Sequence, residues 1–182
     1  MISPTYKDLL LQLREQRPNW GSTGYRYAEQ VSDLIVVTEE FMYEPVATLL
    51  DFGAGTQSLG DTIPEDIGYV PYDPCIPGID VLPNAMFDVI VCIDVMEHVE
   101  YEYVPEVIKW IYDHCVGGVY FMISTVPAKQ RLPNGANAHI TVMDWTEWLP
   151  LLTTHPWTMY DIELYDDHIE FYGFRCAPLP GE

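Results

Sequence analysis

The sequence predicts an α/β fold with a doubly wound, mostly parallel sheet that ends in an antiparallel hairpin. Two observations carry this prediction. Four apolar runs predict parallel strands at 46–50, 68–72, 87–93 and 119–123, and the segment between the last two runs has apolar residues at helical spacing. Two later runs alternate apolar and polar residues around Asp166 and Asp167, which predicts a hairpin from strands at 158–165 and 168–174.

Four helices are expected around this sheet. The first carries Leu9, Leu10 and Leu13 among charged residues and stops before Pro18, as an amphipathic helix does. The expected ranges are 5–16, 27–41, 104–115 and 145–152. The first two precede the first strand, and we expect them to cover one edge of the loop that follows it.

Length and charge limit the classes of function. With 182 residues and 48% apolar composition, the chain predicts one domain, with a helical cover at 1–45, a core at 46–176 and a loose tail at 177–182. A net charge of −20 repels phosphate backbones, so we expect a small-molecule partner and no extended nucleic-acid contact. Scattered cysteines and the lack of a signal-peptide or membrane-spanning run predict a cytoplasmic protein.

The loop after the first strand is typical of a site for a nucleotide-like ligand. Asp51 ends the strand, and Gly53 and Gly55 follow with one residue between them, which permits positive φ angles and close approach of a ligand. Gln57 stands where many such loops carry a third glycine. Asp73 ends the second strand about 20 residues later, where a Rossmann-like site needs a carboxylate for ribose hydroxyls.

Four blocks in order extend this pattern: LLDFGAGT, YVPYDP, FDVIVCIDVMEHV and GGVYFMIST. Together they resemble the signature segments of class I S-adenosylmethionine-dependent methyltransferases, and in particular short methyltransferase-like proteins of phages and bacteria; a phage-encoded chain would act in the host cytoplasm. The resemblance implies that Asp51, Gly53 and Gly55 line the methionine part of S-adenosylmethionine. It also implies that Asp73 binds the ribose and that Pro74 flanks the adenine.

The same resemblance places Asp94 beside the sulfonium and the incoming acceptor. The link 74–86 is too short for the helix, strand and helix that full-length members place there, so we expect an abbreviated third-strand region. Asp80 is then the single candidate for the acid at the adenine edge.

The segment 94–98 carries the candidate catalytic residues. If a helix begins near Asp94, that residue, Glu97 and His98 share one face, and His139 follows the next strand. This arrangement resembles the carboxylate and histidine site of metal-dependent 2′-O-methyltransferases, which implies a divalent cation, Mg²⁺ or Mn²⁺, at these four residues. A second interpretation needs no metal and makes His98 or His139 the general base. In a third, the Glu-His pair only packs the cofactor loop.

Lys129, Arg131 and Asn137 form a locally basic, polar stretch in an acidic chain. They follow the fourth strand, so they are candidates for binding the acceptor. The alternative is an ordinary loop whose charges are solvated.

These observations favour an S-adenosylmethionine-dependent methyltransferase that methylates a small acceptor, with a hydroxyl oxygen as the first expectation. One alternative is a binding or regulatory module that keeps the fold without catalysis. Another is an NAD-dependent oxidoreductase, which also uses a glycine-rich turn and a ribose acid. The sequence leaves the oligomeric state open.

Overall fold

A computed structural model describes residues 1–175, and the expected tail at 177–182 lies outside them. The helices are α1 (Pro4–Gln16), α2 (Ala28–Met42), α3 (Val104–His114) and α4 (Trp145–Leu152). The strands are β1 (Thr48–Phe52), β2 (Gly68–Tyr72), β3 (Phe87–Ile93), β4 (Cys115–Ser124), β5 (Trp157–Leu164) and β6 (His168–Arg175). Every predicted element is therefore present, with ends shifted by a few residues.

The six strands form one sheet in the order β2-β1-β3-β4-β6-β5. The first four are parallel, and β6 pairs antiparallel with both β4 and β5. The predicted fold class is confirmed, including the terminal hairpin. Within residues 1–175 no strand lies between β2 and β3, so β2, which contains Pro71, forms an edge of the sheet.

Alternate residues of the parallel strands bury opposite faces of the sheet. Leu50 and Ile90 belong to the apolar cluster under α3 and α4, whereas Leu49 and Val89 belong to the cluster under α2. Parallel strands buried on both faces explain the continuous apolar runs in the sequence. The carboxyl ends of β1 to β4 consequently meet at one edge, where a doubly wound sheet binds its ligand.

The position of α2 differs from the expectation that the first two helices cover the ligand loop. It packs on the sheet face against β4, where a Cβ atom added to Gly118 would lie 2.2 Å from Thr38 Oγ1. The close approach needs the glycine. Strand β4 begins at Cys115, earlier than predicted. The cover consists of α1, whose Tyr6 and Leu13 belong to a third cluster at the carboxyl edge.

Among residues 1–175 no helix is both long enough and apolar enough to cross a bilayer.

Replacing Gly118 with alanine should destabilise the protein by about 2 kcal/mol, because the new methyl group collides with the buried Thr38 side chain. Urea unfolding followed by circular dichroism measures this change. The double variant Gly118→Ala/Thr38→Ala should recover part of the loss, since the two positions are in contact. Strictly additive effects of the two substitutions would contradict the collision.

Candidate active site

A cavity of about 280 Å³ lies over the carboxyl edge of the sheet. Its lining includes the three acidic residues that end or follow successive strands: Asp51 of β1, Asp73 after β2 and Asp94 after β3. Gly53, Gly55 and Pro74 line it as well. The structure therefore brings together all six residues that the sequence predicted for cofactor binding.

Asp51 is a buried acid with one strong donor. Tyr69 donates a hydrogen bond from its hydroxyl to Asp51 Oδ2 at 2.7 Å, and the residue is 5% exposed. Burial raises the pKa of Asp51 to about 6, because few other groups stabilise its charge. A cation bound in the cavity would favour the ionised carboxylate.

Asp73 is held by three hydrogen bonds. Its Oδ2 accepts from Arg14 Nη2 at 2.6 Å and from the Gly55 amide at 3.1 Å, while Oδ1 accepts from the Cys75 amide at 2.8 Å. The carboxylate is thereby fixed beside the glycine loop. A carboxylate offers about four acceptor positions, so about one position remains for a further donor while Arg14 stays in place.

The two glycines of the loop are required by the protein's own packing. Gly53 has φ +88°, and a Cβ atom there would lie 2.2 Å from Val95. Gly55 has φ +54°, and its Cβ would lie 2.1 Å from the carbonyl oxygen of Gly21. The sequence interpretation gave the ligand as the reason for close approach, whereas Val95 and Gly21 are the groups that approach.

Gln57, which stands where many such loops carry a third glycine, has a backbone conformation that favours glycine. Gln57 has φ 62°, in the left-handed region that side chains rarely adopt. Its amide donates to the Ala54 carbonyl at 2.7 Å, which closes the turn. The loop therefore keeps its shape with a strained glutamine.

Asp94 also has a left-handed backbone, with φ 55°. Its amide donates to the Met122 carbonyl at 3.1 Å, and its Oδ2 accepts from the Thr23 hydroxyl at 2.8 Å. Burial raises the pKa of Asp94, and the Thr23 bond and the charge of His139 oppose that rise. The loop before α2 thus holds this acid at the cavity wall.

The expected helix from Asp94 is wrong, and with it the shared face of 94, 97 and 98. The segment forms a single 3₁₀ turn, Met96–His98, and Glu97 turns away from the cavity. Glu97 is fully buried; its Oε1 accepts from the Ser124 amide at 3.1 Å, and its Oε2 has no partner. Burial raises the pKa of Glu97 to about 8, so this side chain is mostly protonated at neutral pH.

The two histidines, His98 and His139, meet at the cavity wall. Their rings are in edge-to-face contact, with centroids 4.8 Å apart, and both line the cavity. His98 Nδ1 lies 2.7 Å from the Ala138 carbonyl oxygen and His139 Nδ1 lies 2.6 Å from that of Val126. Because carbonyl oxygens only accept, each Nδ1 carries a hydrogen, and in the neutral form of either ring Nε2 keeps its lone pair. Burial is the main cause that lowers the pKa of His98 to about 4.

A methyltransferase domain family model matches residues 13–176. The chain belongs to the methyltransferase domain family.

Solved structures with the same fold contain S-adenosylhomocysteine or S-adenosylmethionine. The 1,6-didemethyltoxoflavin-N1-methyltransferase of Burkholderia thailandensis, solved with S-adenosylhomocysteine, has a TM-score of 0.64 at 12% identity and covers 97% of this chain and 92% of its own. The DhpI complex with S-adenosylhomocysteine has a TM-score of 0.60 at 13% identity, covering 97% and 100%. No curated protein sequence matches this methyltransferase.

The magnesium protoporphyrin IX methyltransferase of Synechocystis PCC 6803, solved with S-adenosylmethionine, has a TM-score of 0.56 at 11% identity, covering 82% and 80%. The predicted membership in the class I S-adenosylmethionine-dependent methyltransferases is confirmed. The narrower likeness to phage proteins stays a prediction.

The residues at the cavity fit S-adenosylmethionine, whose sulfonium and ammonium groups are cations. Asp51 and Asp94 are acids whose pKa values burial has raised, and a cation beside them would lower both. Asp73, which the sequence resemblance assigns to the ribose hydroxyls, follows β2 and lines the cavity. When bound, the cofactor would supply an electrophilic methyl group at the sulfonium.

The four residues predicted for a metal do not fit one. Within residues 1–175 no three His, Cys, Asp or Glu side chains are grouped closely enough to hold an ion. Glu97 directs its carboxyl group to Ser124, away from the cavity that His98 and His139 line. The interpretation with Mg²⁺ or Mn²⁺ is therefore not supported by the arrangement of this chain.

The predicted acceptor-binding residues lie in a loop beside the cavity. Lys129 is exposed, and Arg131 donates to the Gly135 carbonyl at 2.9 Å. Asn137 bonds both the amide and the carbonyl of Ala128 at 2.9 Å, which closes the loop. From this stretch, Gln130 lines the cavity. Contact of Lys129, Arg131 and Asn137 with an acceptor stays a prediction.

Residues that precede the first strand also form the site, and they were not predicted from the sequence. Arg14, Trp20 and Thr23 line the cavity, and Arg14 also lies over the Trp20 ring at 5.1 Å. One signal was present in the sequence. With 8 basic and 28 acidic residues, an arginine at the end of a helix that precedes a glycine-rich turn is well placed to pair with a buried acid.

Replacing Gln57 with glycine should stabilise the protein by about 1 kcal/mol, because glycine adopts φ 62° without the penalty of a Cβ atom. Urea unfolding measures the gain. Gln57→Ala is the matched control, since alanine keeps the Cβ and should give no gain. Equal stability of the glycine and alanine variants would show that the turn is unstrained.

Glu97 should make the protein less stable as the pH rises. Its pKa is about 8 in the folded state against an ordinary value of 4.5, so the folded state binds the proton more tightly. Stability from this group is complete below pH 4.5 and is lost as the pH rises toward 8. Glu97→Gln should remove the effect and gain roughly 1 kcal/mol per pH unit over wild type within that window.

Urea unfolding of wild type and Glu97→Gln at several pH values between 4.5 and 8 measures the difference. Glu102→Gln is the control, because Glu102 is exposed. A constant difference between wild type and Glu97→Gln across this range would contradict a buried protonated acid.

Proposed function

We propose that the protein methylates a hydroxyl oxygen of a small acceptor, with S-adenosylmethionine as methyl donor and the histidine pair beside the acceptor. One observation carries the proposal. His98 and His139 line the cavity with Nδ1 fixed to backbone carbonyl groups, so the lone pairs available to a ligand are those of Nε2. A hydroxyl group is the natural donor to such an acceptor.

The two imidazoles differ in what they can do with a proton. Burial and the charge of His139 lower the pKa of His98 to about 4, so His98 stays neutral and serves as a hydrogen-bond acceptor that positions the hydroxyl. Asp94 lies close enough to His139 for the opposite charges of the two side chains to attract each other. His139 is therefore the candidate general base, and Asp94 stabilises the imidazolium that forms.

Oxygen and nitrogen acceptors differ in their need for a base that removes a proton. A hydroxyl oxygen that forms a bond to the methyl carbon becomes a neutral ether once its proton leaves, and His139 Nε2 takes that proton. Bound S-adenosylmethionine would supply the methyl group and would keep the electrons of the broken sulfur–carbon bond as a neutral thioether. A neutral amine attacks through its lone pair before any proton leaves, so it depends less on a positioned base.

The charge of the chain supports a small acceptor that is neutral or cationic. The net charge is −20, and three acids lie at the cavity edge, which disfavours anionic polymers. The alternative of an NAD-dependent oxidoreductase has no support from the family match. A binding module without catalysis is an outcome that the following experiment would reveal.

The test uses catechol as a hydroxyl probe and benzylamine as an amine probe, each with S-adenosylmethionine. Formation of S-adenosylhomocysteine and of the methylated probe is followed by mass spectrometry. We expect transfer to catechol, and a loss of roughly 100-fold or more in kcat for His139→Asn, as removal of a general base gives. Affinity for S-adenosylhomocysteine, measured by calorimetry, should change little.

His155→Asn is the matched control, because His155 stacks on Tyr112 and is not part of the cavity lining. It should keep the activity of wild type. Transfer to benzylamine alone would contradict an oxygen acceptor. Tight binding of S-adenosylmethionine with no transfer to either probe would favour the module.

A further inference from the structure

One end of the cavity lacks the wall that a third strand would supply. Of the link 74–86, Pro74 and Cys75 line the cavity. Asp80, the candidate acid for the adenine edge, accepts from the Gly78 amide at 3.3 Å and is not among the lining residues. Because β2 is at the edge of the sheet, no neighbouring strand closes the space beyond Asp73 within the described residues.

The N-terminal segment lies at this end. Met1, Ile2 and Leu10 line the cavity together with Arg14. Leu10 is 5% exposed and belongs to the same apolar cluster as Cys75, which is two residues beyond Asp73. The first turns of α1 therefore lie next to the residues that follow β2.

Helix α1 is fastened at both ends. Ser3 donates to the two oxygens of Glu100, from its amide and its hydroxyl, at 2.6 Å each. The Ser3 hydroxyl oxygen also caps the helix by accepting from the Tyr6 amide at 3.2 Å. At the other end Arg14 pairs with Asp73 at 2.6 Å. These contacts make α1 a fixed part of the cavity wall.

Four further residues of the lining are largely apolar. Phe52, Tyr72, Val99 and Val107 belong to the main core cluster, against which Met1 also packs. An apolar recess beside a carboxylate suits a nucleoside, because a ribose hydroxyl can donate to the acceptor position of Asp73 that remains and the flat base can be buried between apolar side chains.

We propose that residues 1–3 and helix α1 form the base-binding wall of the cofactor site and take the place of the abbreviated third strand. Leu10 packs on the base of the adenosine moiety, and the Ser3–Glu100 contact holds the helix against it. This assignment rests on the proposed use of S-adenosylmethionine.

The test is calorimetric titration of wild type, Leu10→Ala and Leu9→Ala with S-adenosylhomocysteine and with adenosine. Leu9 lies on the same helix, packs against the same cluster and is not among the lining residues, so Leu9→Ala controls for general loosening of α1. We expect Leu10→Ala to weaken both ligands by about 10-fold. Leu9→Ala should stay within about 2-fold of wild type.

Ile2→Ala provides a second measurement with less risk to folding, since Ile2 is partly exposed. It should weaken both ligands by about 3-fold. Wild-type affinity in both Leu10→Ala and Ile2→Ala would overturn the assignment while leaving the proposed function intact. Failure of wild type to bind S-adenosylhomocysteine would overturn the proposed function and the assignment together.

Discussion

The site depends on the contact between two loops, the loop that joins α1 to α2 and the glycine-containing loop that follows β1. The Gly21 carbonyl accepts from the Thr56 amide at 3.0 Å, and Gly55 lies so close to Gly21 that no side chain fits at position 55. Once these two backbones touch, Thr23 reaches Asp94 and Arg14 reaches Asp73. The carboxyl edge of the sheet is thus completed by residues that precede the first strand.

The same arrangement solves an electrostatic problem. Three acids converge on one edge in a chain of net charge −20, and like charges in a poorly solvated space are costly. The chain meets this cost with a donor at each acid: Arg14 and two amides hold Asp73, Tyr69 donates to Asp51, and Thr23 donates to Asp94. A ligand with two cationic groups would complete the compensation of these charges.

Much of the fold followed from local patterns, whereas parts of the site did not. Strand runs and helical spacing predicted every α-helix and every strand, because burial on one or two faces produces a periodic pattern of apolar residues. The acids at the strand ends were found because topology alone brings those ends together. The orientation of Glu97 was missed, since a 3₁₀ turn and a helix differ by a rotation that residue types do not encode. Arg14 was missed because its partner is 59 residues away in the sequence.

The edge position of β2 has a consequence for association between molecules. An edge strand presents unpaired backbone donors and acceptors that can template the addition of another chain. Pro71 lies near the end of β2, opposite Asp51 in the ladder, and has no N–H to offer. Pro71 therefore interrupts the series of backbone N–H donors on the uncovered edge strand β2. This interruption disfavours the pairing of a strand from another molecule with that edge.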